Sequence, residues 1–498
     1  MPAAATPSPS AGSVLVIPPA RIDRAVASLD GLVRAIMRTT GVPGVSVAVV
    51  HDDKVVFLKG YGVRNTRTKA AVNADTVFEL ASVSKTVGAT VVAAEVGRGV
   101  VKWSDPVAKY VPGFTLADPW VGSHVTIGDM YAHRSGLPDH AADLLEDLGF
   151  GRAETLARLR FYPLDPFRTT YHYTNFGMTA GAQAVADAAG VSWEQLSRDR
   201  IYTPLGMTHT SSRYADYRTA PNHADLHVRV GTSWQPLHVR DADTQSPAGG
   251  VSSSARDMAN WMRLELAGGV FDGRRIVDAK ALEATHSPNL QSNPLSSPDS
   301  RGSFYGYGTG IGYDQAGRVR WSHSGAFAMG AATNYVMLPS EHLGIIVLTN
   351  GYPIGVPETL TAEFMDLAEF GKQLYPWFAM YDGVFTAMAE EHGELIGKRR
   401  PAAPECAPAA AQYTGSYAND LYGTATVEAA NGKFVLVLGP KRMRFPLAHW
   451  NGRVFSYTPP GESSTGLSAV TFSGTCGSVA SQMTIENLDE SGVGIFKR

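Results

Sequence analysis

Cysteine is nearly absent: the 498 residues contain two, Cys406 and Cys476, both in the last quarter of the chain. So few thiols exclude a disulfide framework and any cysteine-based zinc site. Two readings stand, one bridge in an exported protein or two unpaired thiols. An excess of charge is also missing. With 43 Lys and Arg against 46 Asp and Glu, the net charge of −3 offers no field for a phosphate backbone or an anionic lipid surface. A nucleic-acid partner is therefore not expected. The longest apolar runs, at 45–50 and 344–348, fall far short of the roughly 18 residues that cross a bilayer, so no membrane span is expected. No GxSxG, HExxH, Walker loop or strand-linked GxGxxG occurs. The alternating glycines of YGYGTGIG (305–312) break the dinucleotide pattern and read as a turn or sheet edge. Neither a cofactor nor a metal is called for.

What is present is the composition of an ordinary globular protein, 44% hydrophobic and 18% charged. At about 150 residues per domain the length suggests two to four domains. Residues 1–20, MPAAATPSPSAGSVLVIPPA, lack the basic start and apolar core of a signal peptide but are like the Ala/Pro/Ser spacer that follows one. A periplasmic or secreted location is expected, with a cytoplasmic one left open. Residues 393–410 turn rich in Pro and Ala and read as a linker. The domains expected are thus a spacer (1–20), a main domain (21–392), the linker (393–410) and a C-terminal β domain (411–498).

Apolar residues at helical spacing over 21–40 predict an amphipathic helix, and GVSVAVV and KVVFLKGYG, joined by His51-Asp52-Asp53, predict an antiparallel hairpin. Helices are expected over 82–98, 126–132, 175–189, 192–202 and 255–266, then strands over 318–323, 331–338 and 343–349. That order implies an α/β protein of the α+β kind, in which both ends of the main domain share one antiparallel sheet covered by a helical middle. Beyond the linker, short β runs at 424–428, 433–438, 442–446, 453–457, 467–472 and 482–487 predict a small antiparallel barrel or sandwich.

One short motif carries chemistry. Ser82-Val83-Ser84-Lys85 is an SxxK at the start of a helix, a spacing that puts hydroxyl and amine on one face. A helix start also offers backbone N–H groups to a developing oxyanion. Downstream come Tyr173-Thr174-Asn175 and, after a strand, His323-Ser324-Gly325. The order SxxK, YxN, HxG resembles the penicillin-recognising serine hydrolases: class C β-lactamases, DD-peptidases, D-aminopeptidases and related esterases. VPG (42–44), MYAHRSGLP (130–138), PLGM (204–207) and AGGVS (248–252) look like that family's recurring punctuation, and the likeness covers roughly residues 22–370. The C-terminal module resembles the lipocalin-like β domain appended to such hydrolases.

Ser82 is then the nucleophile and needs a base, because a free hydroxyl is barely ionised at neutral pH. Lys85 and Tyr173 are the candidates, best taken as a coupled pair, since a phenolate needs a neighbouring cation. Asn175 can orient Lys85 and bind a substrate amide. The resemblance implies that His323, Ser324 and Gly325 edge the site and that Ala326 N–H joins Ser82 N–H as the oxyanion hole. His133, His172, Trp321, Arg256 and Asp257 read as structural. The third motif departs from the Lys-Thr-Gly of class C β-lactamases, and a histidine near its ordinary pKa of 6.5 would hold a substrate carboxylate only at low pH. The expectation is a serine hydrolase cleaving an amide or ester in a small-molecule or peptide substrate, such as one containing D-amino acids. The alternatives are a carboxylesterase with weak β-lactamase activity and a catalytically silent recognition protein. A homo-oligomer through the C-terminal domain is left open.

Overall fold

The computed structural model describes residue 13 and residues 15–406, 409–464 and 466–498, so most of the 1–20 spacer and part of the 393–410 linker lie outside it. The chain forms two compact units that do not follow chain order. The first comprises Met1–Pro112, His124–Ser135 and Gly177–Thr386; the second comprises Gly113–Ser123, Gly136–Phe176 and Ala387–Arg498.

The first unit is built on an eight-stranded sheet. Its strands are β1 (Gly44–His51), β2 (Lys54–Gly62), β3 (Leu290–Gln291), β4 (Phe304–Tyr305), β5 (Gly310–Tyr313), β6 (Val319–Phe327), β7 (Ala331–Leu338) and β8 (Leu343–Thr349). They lie in the order β2-β1-β8-β7-β6-β5-β4-β3, every pair antiparallel, so the N-terminal hairpin docks on the last strand as the pattern required. The hairpin turn places Asp52 and Asp53 at φ 49° and 60°, the left-handed pair that matches strand twist. The YGYGTGIG run does form a sheet edge, as β4 and β5.

The helices of this unit include α1 (Pro19–Thr40), α2 (Ser84–Gly97), α3 (Asn175–Ala189), α4 (Ala255–Leu266) and α5 (Val356–Phe370). Helix α1 turns Ile22, Ala25, Leu29, Val33 and Ile36 onto Val45, Val47 and Val49 of β1, and Leu360 and Phe364 of α5 join the same core. Val336 and Leu338 of β7 point into that layer. The alternate residue Tyr335 instead donates from its hydroxyl to Thr86 of α2. The two faces of β7 thus carry different tasks, as strand alternation dictates. Helix α2 is buried from Ser84 to Glu95 on every side, which makes it a core helix rather than a surface one.

The second unit contains a closed antiparallel barrel of eight strands: β9 (Gly415–Asn419), β10 (Gly423–Ala430), β11 (Lys433–Leu438), β12 (Met443–Asn451), β13 (Val454–Tyr457), β14 (Ser468–Phe472), β15 (Gln482–Ile485) and β16 (Ile495–Lys497). The barrel closes through Ala418 and Lys497, on two short strands that show no clear sequence alternation. Its interior is packed. The rings of Tyr413, Phe434, Phe455 and Phe472 meet edge to face at 5.0–6.1 Å, leaving aromatic side chains where a wider barrel would hold a ligand.

Segment 136–176 is tied to the barrel inside this unit. Asp147 accepts from Glu462 N at 3.0 Å and Ser463 N at 2.9 Å, and Arg158 donates to the carbonyls of Asp420 and Leu421 at 2.9 and 2.6 Å. Of the two readings for the cysteines, the bridge is correct: Cys406 and Cys476 are joined with Cα atoms 5.3 Å apart. With a sequence separation of 70, chain entropy assigns the closed loop about 4 kcal/mol. The double variant Cys406→Ser/Cys476→Ser is therefore expected to lose about 2–4 kcal/mol in barrel unfolding, read from denaturant midpoints at unchanged m value.

Candidate active site

The candidate nucleophile stands in a tight 3-10 turn, Ala81–Val83, immediately before α2. The expected helix is thus present, but Ser82 lies one turn ahead of its regular part. Ala81 has φ 47°, a left-handed conformation that costs a non-glycine residue about 1–2 kcal/mol, and it is fully buried. Its surroundings impose it. Leu80 N donates to Val251 O at 2.8 Å, Leu80 O accepts from Thr333 Oγ1 of β7 at 2.7 Å, and Ser84 Oγ accepts from Val251 N at 3.0 Å. Strain held this way beside a half-buried serine hydroxyl is a feature of functional sites.

Lys85 is fully buried, in the first turn of α2. Its ammonium donates to Ser82 Oγ at 3.0 Å and to the Ala248 carbonyl at 3.0 Å. A cation removed from water is costly unless it is hydrogen-bonded, and these acceptors supply bonds while leaving the amine against the hydroxyl. Ala248 opens the AGGVS run, and no spacing rule links it to a lysine 163 positions away.

Strand β6 supplies the third motif. Strand β5 pairs with it only as far as Ser322, so from His323 to Phe327 the edge opposite β7 has no strand partner among the described residues. Gly325 faces the nucleophile turn so closely that a Cβ there would lie 2.9 Å from Ser82 N and closer still to Leu80 O and Thr333 Oγ1. That contact brings Gly325 and the backbone of Ser82 together, next to exposed Ala326. Gly325→Ala must therefore push β6 away from the turn. Phosphonylation of the serine by a neutral fluorophosphonate, with loss of fluoride, is expected to slow by about a hundredfold, the usual result of a displacement of about 1 Å, with a lower melting temperature in the same sample.

His323 is not a cation. Its Nδ1–H donates to the Ser324 carbonyl at 2.6 Å, and its Nε2 lies 2.8 Å from the Tyr305 hydroxyl. A carbonyl can only accept, so Nδ1 carries the proton; with the ring neutral, for the reason that follows, Nε2 accepts from the Tyr305 hydroxyl. Burial, and then the Lys85 ammonium, push its pKa down to about 4. The ordinary value near 6.5 is thereby corrected, and a histidine charge cannot hold a carboxylate at neutral pH. A protein NMR titration is expected to show His323 neutral throughout the range above about pH 5; a midpoint near 6.5 would contradict this.

Tyr173 and Asn175 lie in the second unit. Tyr173 O accepts from His140 N at 2.8 Å, with the two rings 5.7 Å apart. Asp143 Oδ2 accepts from Asn175 Nδ2 at 2.8 Å and from His140 Nδ1 at 2.9 Å, so one carboxylate steadies both ends of the YxN motif. The residues read as structural make these contacts. His133 is buried against the Tyr305 ring and His172 lies 3.2 Å from Asp165. Trp321 stacks on His286, Arg256 pairs with Asp75, and Asp257, in the first turn of α4, donates its backbone N–H to the capping Ser254 Oγ while its carboxylate accepts from His209 N and Thr210 Oγ1.

An antiparallel sheet covered by helices on both faces, with an SxxK serine in the turn that Gly325 of β6 approaches, is the arrangement of a β-lactamase fold. The β-lactamase family model matches residues 29–370, and the chain belongs to that family. A second model, a domain of unknown function, matches residues 399–491, the barrel region. The chain is 32% identical over 326 residues to penicillin-binding protein 4 of Amycolatopsis lactamdurans, covering 62% of this chain and 81% of the relative. It is 25% identical over 428 residues to an unguisins hydrolase of Aspergillus violaceofuscus, covering 79% and 75%. It is 24% identical over 326 residues to the D-alanyl-D-alanine-carboxypeptidase/endopeptidase AmpH of Escherichia coli, covering 63% and 81%. The structure of the octameric penicillin-binding protein homologue from Pyrococcus abyssi superposes with a TM-score of 0.59 at 19% identity, over 92% of this chain and 98% of that one. The likeness shows that the fold extends over nearly the whole chain. Among the described residues no helix is long and apolar enough to cross a membrane.

Proposed function

We propose that the protein is a serine hydrolase that cleaves an amide or ester through an acyl-enzyme on Ser82. The observation that carries this reading is the buried Lys85 ammonium 3.0 Å from the Ser82 hydroxyl. Ser82 Oγ attacks the carbonyl and gives its proton to the Lys85 and Tyr173 pair, which acts while it holds one proton fewer than ammonium plus phenol, and the pair passes that proton to the departing amine or alcohol; water then releases the acyl group by the reverse transfers. The N–H groups of Ser82 and Ala326 receive the oxyanion, a role supported by the close approach of β6 at Gly325. Asn175 binds a substrate amide. The open edge of β6 suits an extended peptide laid beside it as a further strand. A relative named as a D-alanyl-D-alanine-carboxypeptidase/endopeptidase supports a peptide containing D-amino acids as the substrate class. The Cys406–Cys476 bridge supports an oxidising compartment outside the cytoplasm. Labelling with a fluorophosphonate, followed by peptide mapping, tests the reading. The label is expected on Ser82, and a label elsewhere or none would overturn it.

A further inference from the structure

A carboxylate that the chemistry above does not use lies behind the third motif. Glu358, in the first turn of α5, is 4% exposed, and neither of its oxygens has a hydrogen-bond donor in good geometry. Buried carboxylates are normally paired, so this one has either a function or an unmet cost. Strand alternation explains its position. His323 and Gly325 face the nucleophile side of β6, whereas Ser324 faces the opposite layer, directly across from Asn334 of β7, on the face against which α5 packs.

The hydroxyl of Ser324 is polarised from that side. Thr361 Oγ1 of α5 donates to Asn334 Oδ1 at 2.7 Å, which fixes the amide so that Asn334 Nδ2 donates to Ser324 Oγ at 2.8 Å. Ser324 already accepts one bond, so its own O–H is free to be given, and the Ser324 hydroxyl is the side chain that acts on Glu358. An ionised Glu358 draws that proton inward. A protonated Glu358 needs no donor and leaves the Ser324 hydroxyl to whatever lies along the open edge of β6. On the front of the motif His323 is neutral, and the Lys85 ammonium faces Ser82 Oγ and the Ala248 carbonyl on the nucleophile side of β6, the face away from Ser324.

Building on the serine hydrolase reading, we propose that Glu358 is a specificity-determining residue that excludes a negatively charged substrate group from the Ser324 end of the site. The substrate is therefore uncharged there: a peptide bond within a chain, an amide or an ester, in preference to a free terminal carboxylate. Burial pushes the Glu358 carboxyl up to about 7, opposed by its own backbone N–H and the Ser324 hydroxyl. The exclusion thus strengthens as pH rises through neutrality and relaxes in acid. The other charged and titratable groups on this side are Arg320 of β6, on the same face as Ser324, Asp366 of α5 and Tyr381 of the helix Trp377–Met388, whose pKa Arg320 lowers and Asp366 and Glu358 raise. Lys85 lies on the other face of β6, where it acts on His323.

The test compares two depsipeptide esters that share an acyl-D-alanyl group, one leaving lactate and the other lactamide. In the ratio of their kcat/KM values, titrations of the shared chemistry cancel. From about pH 5.5 to about pH 8.5, the lactate to lactamide ratio of the wild type is expected to fall at least about tenfold, with a midpoint near 7. In Glu358→Gln the ratio is expected to be flat and about tenfold higher at the alkaline end. Glu358→Met, which keeps the volume without a polar group, serves if the glutamine does not fold. A wild-type ratio independent of pH, or the same fall in a folded variant, overturns the role of Glu358 while hydrolysis of the lactamide leaves the hydrolase reading intact. Failure of both esters to react, together with no fluorophosphonate on Ser82, overturns the hydrolase reading and this inference with it.

Discussion

Replacing Ser82 with alanine is expected to abolish fluorophosphonate labelling and to lower turnover by about 10⁴- to 10⁶-fold, the loss seen when an acyl-forming nucleophile is removed. The fold should survive. Ser82 is half-buried, its turn is held by bonds to Leu80 and Ser84 rather than to its own hydroxyl, and Lys85 keeps the Ala248 carbonyl as an acceptor. A melting temperature within a few degrees of the parent is expected, since replacing one small half-exposed hydroxyl has a minor energetic effect. Turnover near the parent rate in a folded Ser82→Ala protein would remove the serine from the mechanism.

Lys85→Met and Tyr173→Phe are each expected to lose about 10³-fold or more in kcat/KM. Methionine fills most of the lysine volume in a fully buried site, so the lost rate reports the amine rather than a cavity. The decisive measurement is the double variant. If the two groups share one proton, removing the second after the first should cost no more than about threefold. Losses that multiply would show two independent roles and would separate the base from the residue that only stabilises it. The same proteins test whether Tyr173, whose segment is hydrogen-bonded within the barrel unit, takes part in the chemistry at all.

Much of this protein is legible from sequence because its elements are locally determined. The β1–β2 hairpin follows from two valine-rich runs and an Asp-Asp turn, α1 from a 3.6-residue apolar period, and α2 from a helical pattern that starts at the SxxK serine after a strand-like run. The order of those elements, with three strands closing the main domain, already implied one antiparallel sheet shared by both chain ends, and β1 pairing with β8 is that sheet. The lysine at i+3 of the serine needed only helical geometry to reach it.

Other features depend on contacts between residues far apart in the chain, and no local pattern encodes them. The left-handed Ala81 is held by Val251 and Thr333, the Lys85 bond to Ala248 spans 163 positions, and Glu358 meets Ser324 only because α5 packs on β7. Segment 136–176 precedes the barrel by more than 200 residues yet shares its compact unit, through side-chain bonds to backbone groups that carry no sequence signature. The closing strands of the barrel are too short to alternate, so pairing partners rather than their own residues define them. His323 is the clearest case. Its identity was evident from the motif, but its charge depended on burial, on Tyr305 and on Lys85, because a pKa is a property of the surroundings that only the folded chain supplies.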